Sequence, residues 1–345
     1  MEPTLALLID CCRFGFAGGD RDELGRRLKA ADGWRLTELA RRHRVEGLVW
    51  RALRACSIAL PGTEKLAADA RKIVADGLHM AVESGRLTRA FGQASLPHLF
   101  LKGQSLGQLA WGDPLVKRQV DIDLLVTPGA VAKAALLLGS LGFLQELPEP
   151  SVDPADWHRR HKESSWRSDD GIMLDLHSRV ADNPALLPQV TATLSPAMVE
   201  VANGIRLPTL PQPLLLPYLA VHGTSSAWFR LKWLADFAAL VHQLNAAELE
   251  ELGDRAPRIG AGRTIAAALV LAHRLFSTPV PDSLWFDGGS ARLVKISLAQ
   301  IDDEREPTER RLGTLGIHRA QLLMAPGSHF FVGEALRQLG AALIR

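Results

Sequence analysis

Asp121 and Asp123 stand two residues apart at the head of the run Asp121-Ile122-Asp123-Leu124-Leu125-Val126. In an extended strand residues i and i+2 share a face, so the two carboxylates project together while Ile122 and Leu124 enter the opposite layer. Two like charges this close repel, and folding alone gives no reason to pair them. A divalent cation makes the pairing favourable: Mg²⁺ takes hard oxygen ligands, typically a few carboxylates together with substrate phosphates, and Mn²⁺ accepts the same donors. On repulsion alone, a chain with both residues changed to Asn is expected to be at least as stable without metal.

The flanking segments fit phosphate chemistry. Upstream, the short apolar stretch Pro97 to Leu101 runs into Lys102-Gly103-Gln104-Ser105 and a helical stretch to Trp111. A glycine at such a strand-to-helix junction lets backbone N–H groups approach a phosphate closely. Lys102 is placed to neutralise phosphate or to snorkel from a strand end. Arg118 is placed to meet a triphosphate or to pair with Asp113. Downstream, Glu163 to Ser168 and Ile172 to His177 flank Asp169-Asp170-Gly171, a hairpin signal. Alternation puts Asp175 and His177 on one face of the second strand, which supplies a third carboxylate. His161 and His177 read equally as phosphate or proton-handling groups and as hydrogen-bonded structural ones.

These pieces together resemble the polymerase β-like nucleotidyltransferase superfamily and, more narrowly, the bacterial uncharacterised nucleotidyltransferase family. The residues that carry the likeness are Leu101-Lys102-Gly103, Trp111-Gly112-Asp113-Pro114, Arg118, the strand from Asp121 to Val126, Leu141-Gly142-Phe143 and Asp175-Leu176-His177. His222-Gly223, Trp228, Arg230-Leu231, Trp233 and Asp236 extend it, so that it spans most of residues 38 to 245. The superfamily's Gly-Ser is replaced here by Gly103-Gln104-Ser105. The resemblance implies an α+β fold in which a mixed sheet with helices is flanked by N-terminal and C-terminal helical regions. It implies catalysis with Mg²⁺ (or Mn²⁺) held by Asp121, Asp123 and Asp175, the last also helping to deprotonate the acceptor. Lys102, Gly103, Ser105, Arg118, His177 and Arg230 are the expected contacts to a nucleoside triphosphate, with ATP the favoured donor. Trp233 near Arg230 reads rather as core.

Apolar periodicity places helices over residues 1–93, the strands over 94–207 with a helix from Val131 to Leu141 between the acidic strands, and helices again over 208–345. Pro208, Pro211, Pro213 and Pro217 punctuate the second boundary, and Asp302 to Arg311 reads as a solvated charged stretch. The 40 basic and 38 acidic residues give a net charge of +2, which provides no field to collect nucleic acid. No apolar run reaches membrane-spanning length, and the N-terminus lacks the basic start of a signal peptide. Three cysteines, Cys11 and Cys12 adjacent, form neither a disulfide framework nor a spaced zinc motif, in keeping with a cytoplasmic enzyme. The acceptor, whether a small molecule, a peptide or a protein, leaves no local motif. A competing reading, a nucleotide-binding or partner-binding module whose transferase site has lapsed, draws its support from the altered glycine turn alone.

Overall fold

The computed structural model describes residues 2–343. The chain divides into two compact units, Ile73–Leu215 and a discontinuous one made of Met1–Lys72 with Leu216–Arg345. The division falls within the helices Glu64–Gln93 and Gln212–Ser225. Of the prolines that punctuate this stretch, Pro208 lies in a strand, Pro211 between elements, and Pro213 and Pro217 in the second of these helices.

The Ile73–Leu215 unit is organised around seven strands: β1 (His98–Phe100), β2 (Asp121–Val126), β3 (Phe143–Leu147), β4 (Glu163–Ser168), β5 (Met173–His177), β6 (Ala197–Ala202) and β7 (Ile205–Thr209). They form one mixed sheet in the order β3-β4-β5-β2-β1-β7-β6, with β2 parallel to β5, β1 parallel to β7 and the other pairs antiparallel. The Asp169-Asp170-Gly171 turn closes the β4–β5 hairpin as expected, with Gly171 at φ +82° in the region that favours glycine. A second hairpin, β6–β7, turns at Asn203-Gly204.

One sheet face is the core. Ile122, Leu124 and Val126 of β2, Leu174 and Leu176 of β5 and Trp166 of β4 all bury there. The helix Val131–Ser140 lays Val131, Ala134 and Leu138, spaced at helical period, against that layer, and the helix Glu64–Gln93 adds Ala81, Leu87 and Phe91. Burying an aliphatic side chain of this size contributes about 1.5–3 kcal/mol, so the β2 face is firmly anchored and its opposite face is free to carry polar groups.

The other unit is helical. Gly262–Phe276 buries ten of its residues and packs against Leu231–Val241 and Gly288–Asp302. The His222-Gly223 and Trp228 pair has a packing cause: a Cβ on Gly223 would lie 2.4 Å from the fully buried Trp228 ring, whose N–H donates to Thr224 Oγ1 at 3.2 Å. The segment expected to be solvated is partly engaged instead, because Arg310 donates to Asp303 and Gln300, and Glu306 accepts from Arg230. Arg310 folds back onto the unlike charge of Asp303 seven residues before it and onto the neutral amide of Gln300 ten before it, which a linear reading of charge does not show. Among the described residues no helix is long and apolar enough to cross a membrane. All three cysteines are free, and burial pushes the Cys11 thiol up to about 12.

Candidate active site

The polar face of the sheet assembles the acidic residues by register. β5 lies parallel beside β2 and sets Asp123 opposite Asp175 and Leu125 opposite His177. β4 runs antiparallel on the far side of β5 and sets Ser165 opposite Asp175 and Glu163 opposite His177. Directly opposed residues share a face, so Asp121, Asp123, Asp175, His177, Ser165 and Glu163 form one polar patch behind which the core residues alternate.

Asp123 is the hub and is only 5% exposed. Its Oδ1 accepts from Lys102 Nζ at 2.9 Å and faces His177 Nε2 at 3.1 Å. Burial by itself would raise the pKa of this carboxyl, yet the adjacent Lys102 ammonium and the His177 hydrogen bond hold it well below the usual carboxylate range. Glu163 behaves alike. Burial pushes it up, but Lys162 Nζ at 2.6 Å, together with His177, leaves it below its ordinary value. Asp175 has no such cation. Burial raises its pKa, the Ser165 hydroxyl donating to Oδ1 at 2.7 Å opposes this, and the charges of Glu163, Asp123 and Asp121 raise it further. The site thus separates its carboxylates into cation-paired ones that stay ionised and one with a raised proton affinity, the division expected where acid–base work is done.

Behind the patch, His158 is buried with Nδ1 at 2.8 Å from Ser178 Oγ and Nε2 at 3.0 Å from Ser164 Oγ. Burial, followed by the neighbouring His177, pushes its pKa down to about 4. A neutral ring there braces the strand pair that carries His177.

One ligand atom each from Asp123, Asp175 and His177 lies within 4.8 Å of the others. Two carboxylate oxygens and one imidazole nitrogen at this spacing suit a small divalent cation. Asp121 stands on the same strand face, opposite Met173 on β5, and is near enough for its charge to raise the Asp175 pKa.

Gly103 takes φ +80° and starts the helix Gln104–Trp111, and a Cβ there would meet Gln119 Nε2 at 3.2 Å, so the turn does require glycine. Ser105 is fully buried; its hydroxyl donates to the Lys102 carbonyl at 3.2 Å and to Thr209 Oγ1 at 3.3 Å. It braces the turn from within. Arg118 is half-buried in the approach to β2. Arg230 belongs to the helical unit, where its guanidinium meets Glu306 at 3.2 Å and lies 4.9 Å from the Phe229 ring centroid. His161 stacks on Trp157, with ring centroids 3.5 Å apart. Trp233 is half-buried. The residues that sequence reasoning undervalued are Glu163, Lys162 and Ser165; the two-residue period of β4 was the available signal, since it sets Glu163 and Ser165 on one face.

A mixed sheet with Asp-x-Asp on β2 and a further Asp on the adjacent β5, fronted by a glycine turn, defines a nucleotidyltransferase-type unit. The family model for uncharacterised nucleotidyltransferases matches residues 29–277, and the chain belongs to that family. A comparison with curated proteins gives no match to the chain.

Proposed function

We propose that the protein transfers a nucleoside monophosphate group from a nucleoside triphosphate, ATP being the favoured donor, to a hydroxyl or similar acceptor on a small molecule, peptide or protein, with release of pyrophosphate. The observation that supports this most is the register of Asp123 on β2 beside Asp175 on parallel β5, with Asp121 on the same face. Divalent cations bound by Asp121, Asp123 and Asp175, Mg²⁺ or Mn²⁺, would supply charge neutralisation at the α-phosphate and at the leaving oxygen. The chain's own residues do the rest. Asp175, with its raised proton affinity and its Ser165 hydrogen bond, accepts the acceptor's proton. The Gly103 turn and the N–H groups opening the helix Gln104–Trp111 cradle the outer phosphates. Lys102, and Arg118 on the approach to β2, add positive charge, and His177 keeps Asp123 in place. Arg230 is assigned to the nucleotide through the family likeness. Catalysis on this reading rests on positioning and electrostatics rather than on a covalent intermediate.

The intact Asp123–Asp175 pair favours this over a lapsed binding module. The test is incubation of the protein with each α-labelled nucleoside triphosphate, a divalent cation and a cell extract. Label carried onto an acceptor molecule supports the reading; metal-dependent nucleotide binding without any transfer favours the lapsed module.

A further inference from the structure

His177 has a carboxylate close to each ring nitrogen, an arrangement that the Asp-x-Asp motif does not require. Nε2 is 3.1 Å from Asp123 Oδ1, and Nδ1 is 3.3 Å from Glu163 Oε2. The ring is 4% exposed and held between β4 and β2, so it cannot turn out to solvent. Nδ1 is buried and, although close to Glu163, is not aligned for a hydrogen bond with it or with any other group. The separation of Nε2 from Asp123 Oδ1 matches the roughly 3 Å edge between neighbouring ligands of an octahedral ion whose bonds are about 2.1 Å long.

The geometry points to a cation site with a nitrogen ligand: His177 ligates through Nε2, Glu163 orients the ring from behind through Nδ1, and the site therefore favours Mn²⁺ over Mg²⁺. This rests on the nucleotidyltransferase reading and sharpens its metal. Without an ion Nε2–H donates to Asp123; to ligate, Nε2 must give up that hydrogen bond and present its lone pair, which places the ring hydrogen on Nδ1, the nitrogen that faces Glu163. Lys162, 2.6 Å from Glu163 Oε2, keeps that carboxylate ionised and fixed. A carboxylate behind a ligating histidine sets its tautomer and raises its basicity, and losing one costs about 10–100-fold in metal affinity. Mg²⁺ prefers oxygen donors and keeps its waters, whereas the first-row dications gain affinity from imidazole, so a nitrogen in the donor set shifts the ratio between them. Lys102, which shares Asp123 Oδ1 with His177, is the positive charge that the incoming ion replaces.

The measurement is Mn²⁺ binding to the full chain by electron paramagnetic resonance, with Mg²⁺ as competitor, and pulsed detection of ¹⁴N coupling in the Mn²⁺-loaded protein. The expected result is Mn²⁺ affinity at least tenfold above that of Mg²⁺, with a histidine ¹⁴N signal. His177→Gln should abolish the ¹⁴N signal and bring the two affinities together. Glu163→Gln should keep the signal but weaken Mn²⁺ by about 10–100-fold, with thermal melts in EDTA confirming that both variants fold. Tight binding of both ions without ¹⁴N coupling, or a Mn²⁺-to-Mg²⁺ ratio unchanged by His177→Gln, overturns the inference and leaves the transferase reading standing. Failure of either ion to bind, with or without a nucleoside triphosphate, overturns both.

Discussion

Two isosteric substitutions at neighbouring positions of this site should move stability in opposite directions. Asp123→Asn removes a buried charge that Lys102 and His177 both face, and leaves a neutral amide 2.9 Å from the Lys102 ammonium in place of a carboxylate. Breaking a buried pair costs about 3–5 kcal/mol when the remaining charge is trapped. The Lys102 side chain is 21% exposed, however, and can turn partly toward water, and Asp175 is relieved of a repelling neighbour. These offsets bring the expected loss to about 1–2 kcal/mol. Asp175→Asn keeps an acceptor oxygen for Ser165 and removes a carboxylate that burial and three acidic neighbours disfavour. It should therefore stabilise the metal-free protein by up to about 1 kcal/mol. Chemical denaturation and thermal melts in EDTA read both, at about 2–4 °C per kcal/mol for a unit of this size. The sign also depends on pH. Asp123 has a folded pKa below its unfolded one, so its contribution is present above about pH 4 and is lost as pH falls; that of Asp175, with a raised folded pKa, is present at low pH and is lost as pH rises. The contrast between the variants should therefore be greatest near neutrality. Equal stability of Asp123→Asn and the parent, or shifts of the same sign for both variants, would refute the charge assignment.

His158 is neutral in the fold, with its pKa pushed down to about 4 by burial, so the stability it confers is present above about pH 6.5 and drains away toward pH 4; His158→Gln should flatten that part of a pH–stability curve. Gly103→Ala forces an L side chain into φ +80° against Gln119, and should cost about 1–2 kcal/mol in denaturation together with a measurable loss of nucleotide affinity by calorimetry. Gly223→Ala drives a Cβ to 2.4 Å from the buried Trp228 ring and should destabilise the helical unit by about 3 kcal/mol or more, seen as an early loss of tryptophan fluorescence; a melt like the parent's would show that the ring has room to shift.

Much of this site was readable locally. The Asp121-to-Val126 strand, the Asp169-Asp170-Gly171 turn and the helix expected from Val131 to Leu141 each follow from short-range rules, alternation, turn chemistry and helical period, and the structure has the strand and turn in those places and the helix over Val131–Ser140. What alternation cannot supply is adjacency. β2 and β5 are parallel neighbours although two other strands intervene in sequence, and that pairing is what brings Asp175 to Asp123. The repulsion read from two close aspartates was likewise incomplete, because it took no account of Lys102, which closes onto Asp123 from the end of β1. The inward bonds of Ser105 were equally out of reach, since they depend on Thr209, a residue far along the chain. The joining of Met1–Lys72 with Leu216–Arg345 into one unit was also out of reach, since it rests on packing between segments far apart in the chain.

The most direct test of the account follows the two ends of the triphosphate at once, using α-labelled and γ-labelled nucleotide with a divalent cation and extract, on the parent protein and on Asp175→Asn. The α-label should pass to an acceptor and the γ-label leave as pyrophosphate, and Asp175→Asn should slow this by about a hundredfold or more while the nucleotide dissociation constant barely changes. Transfer of the γ-label to the acceptor, transfer that persists in EDTA, or an Asp175→Asn variant as fast as the parent would contradict it.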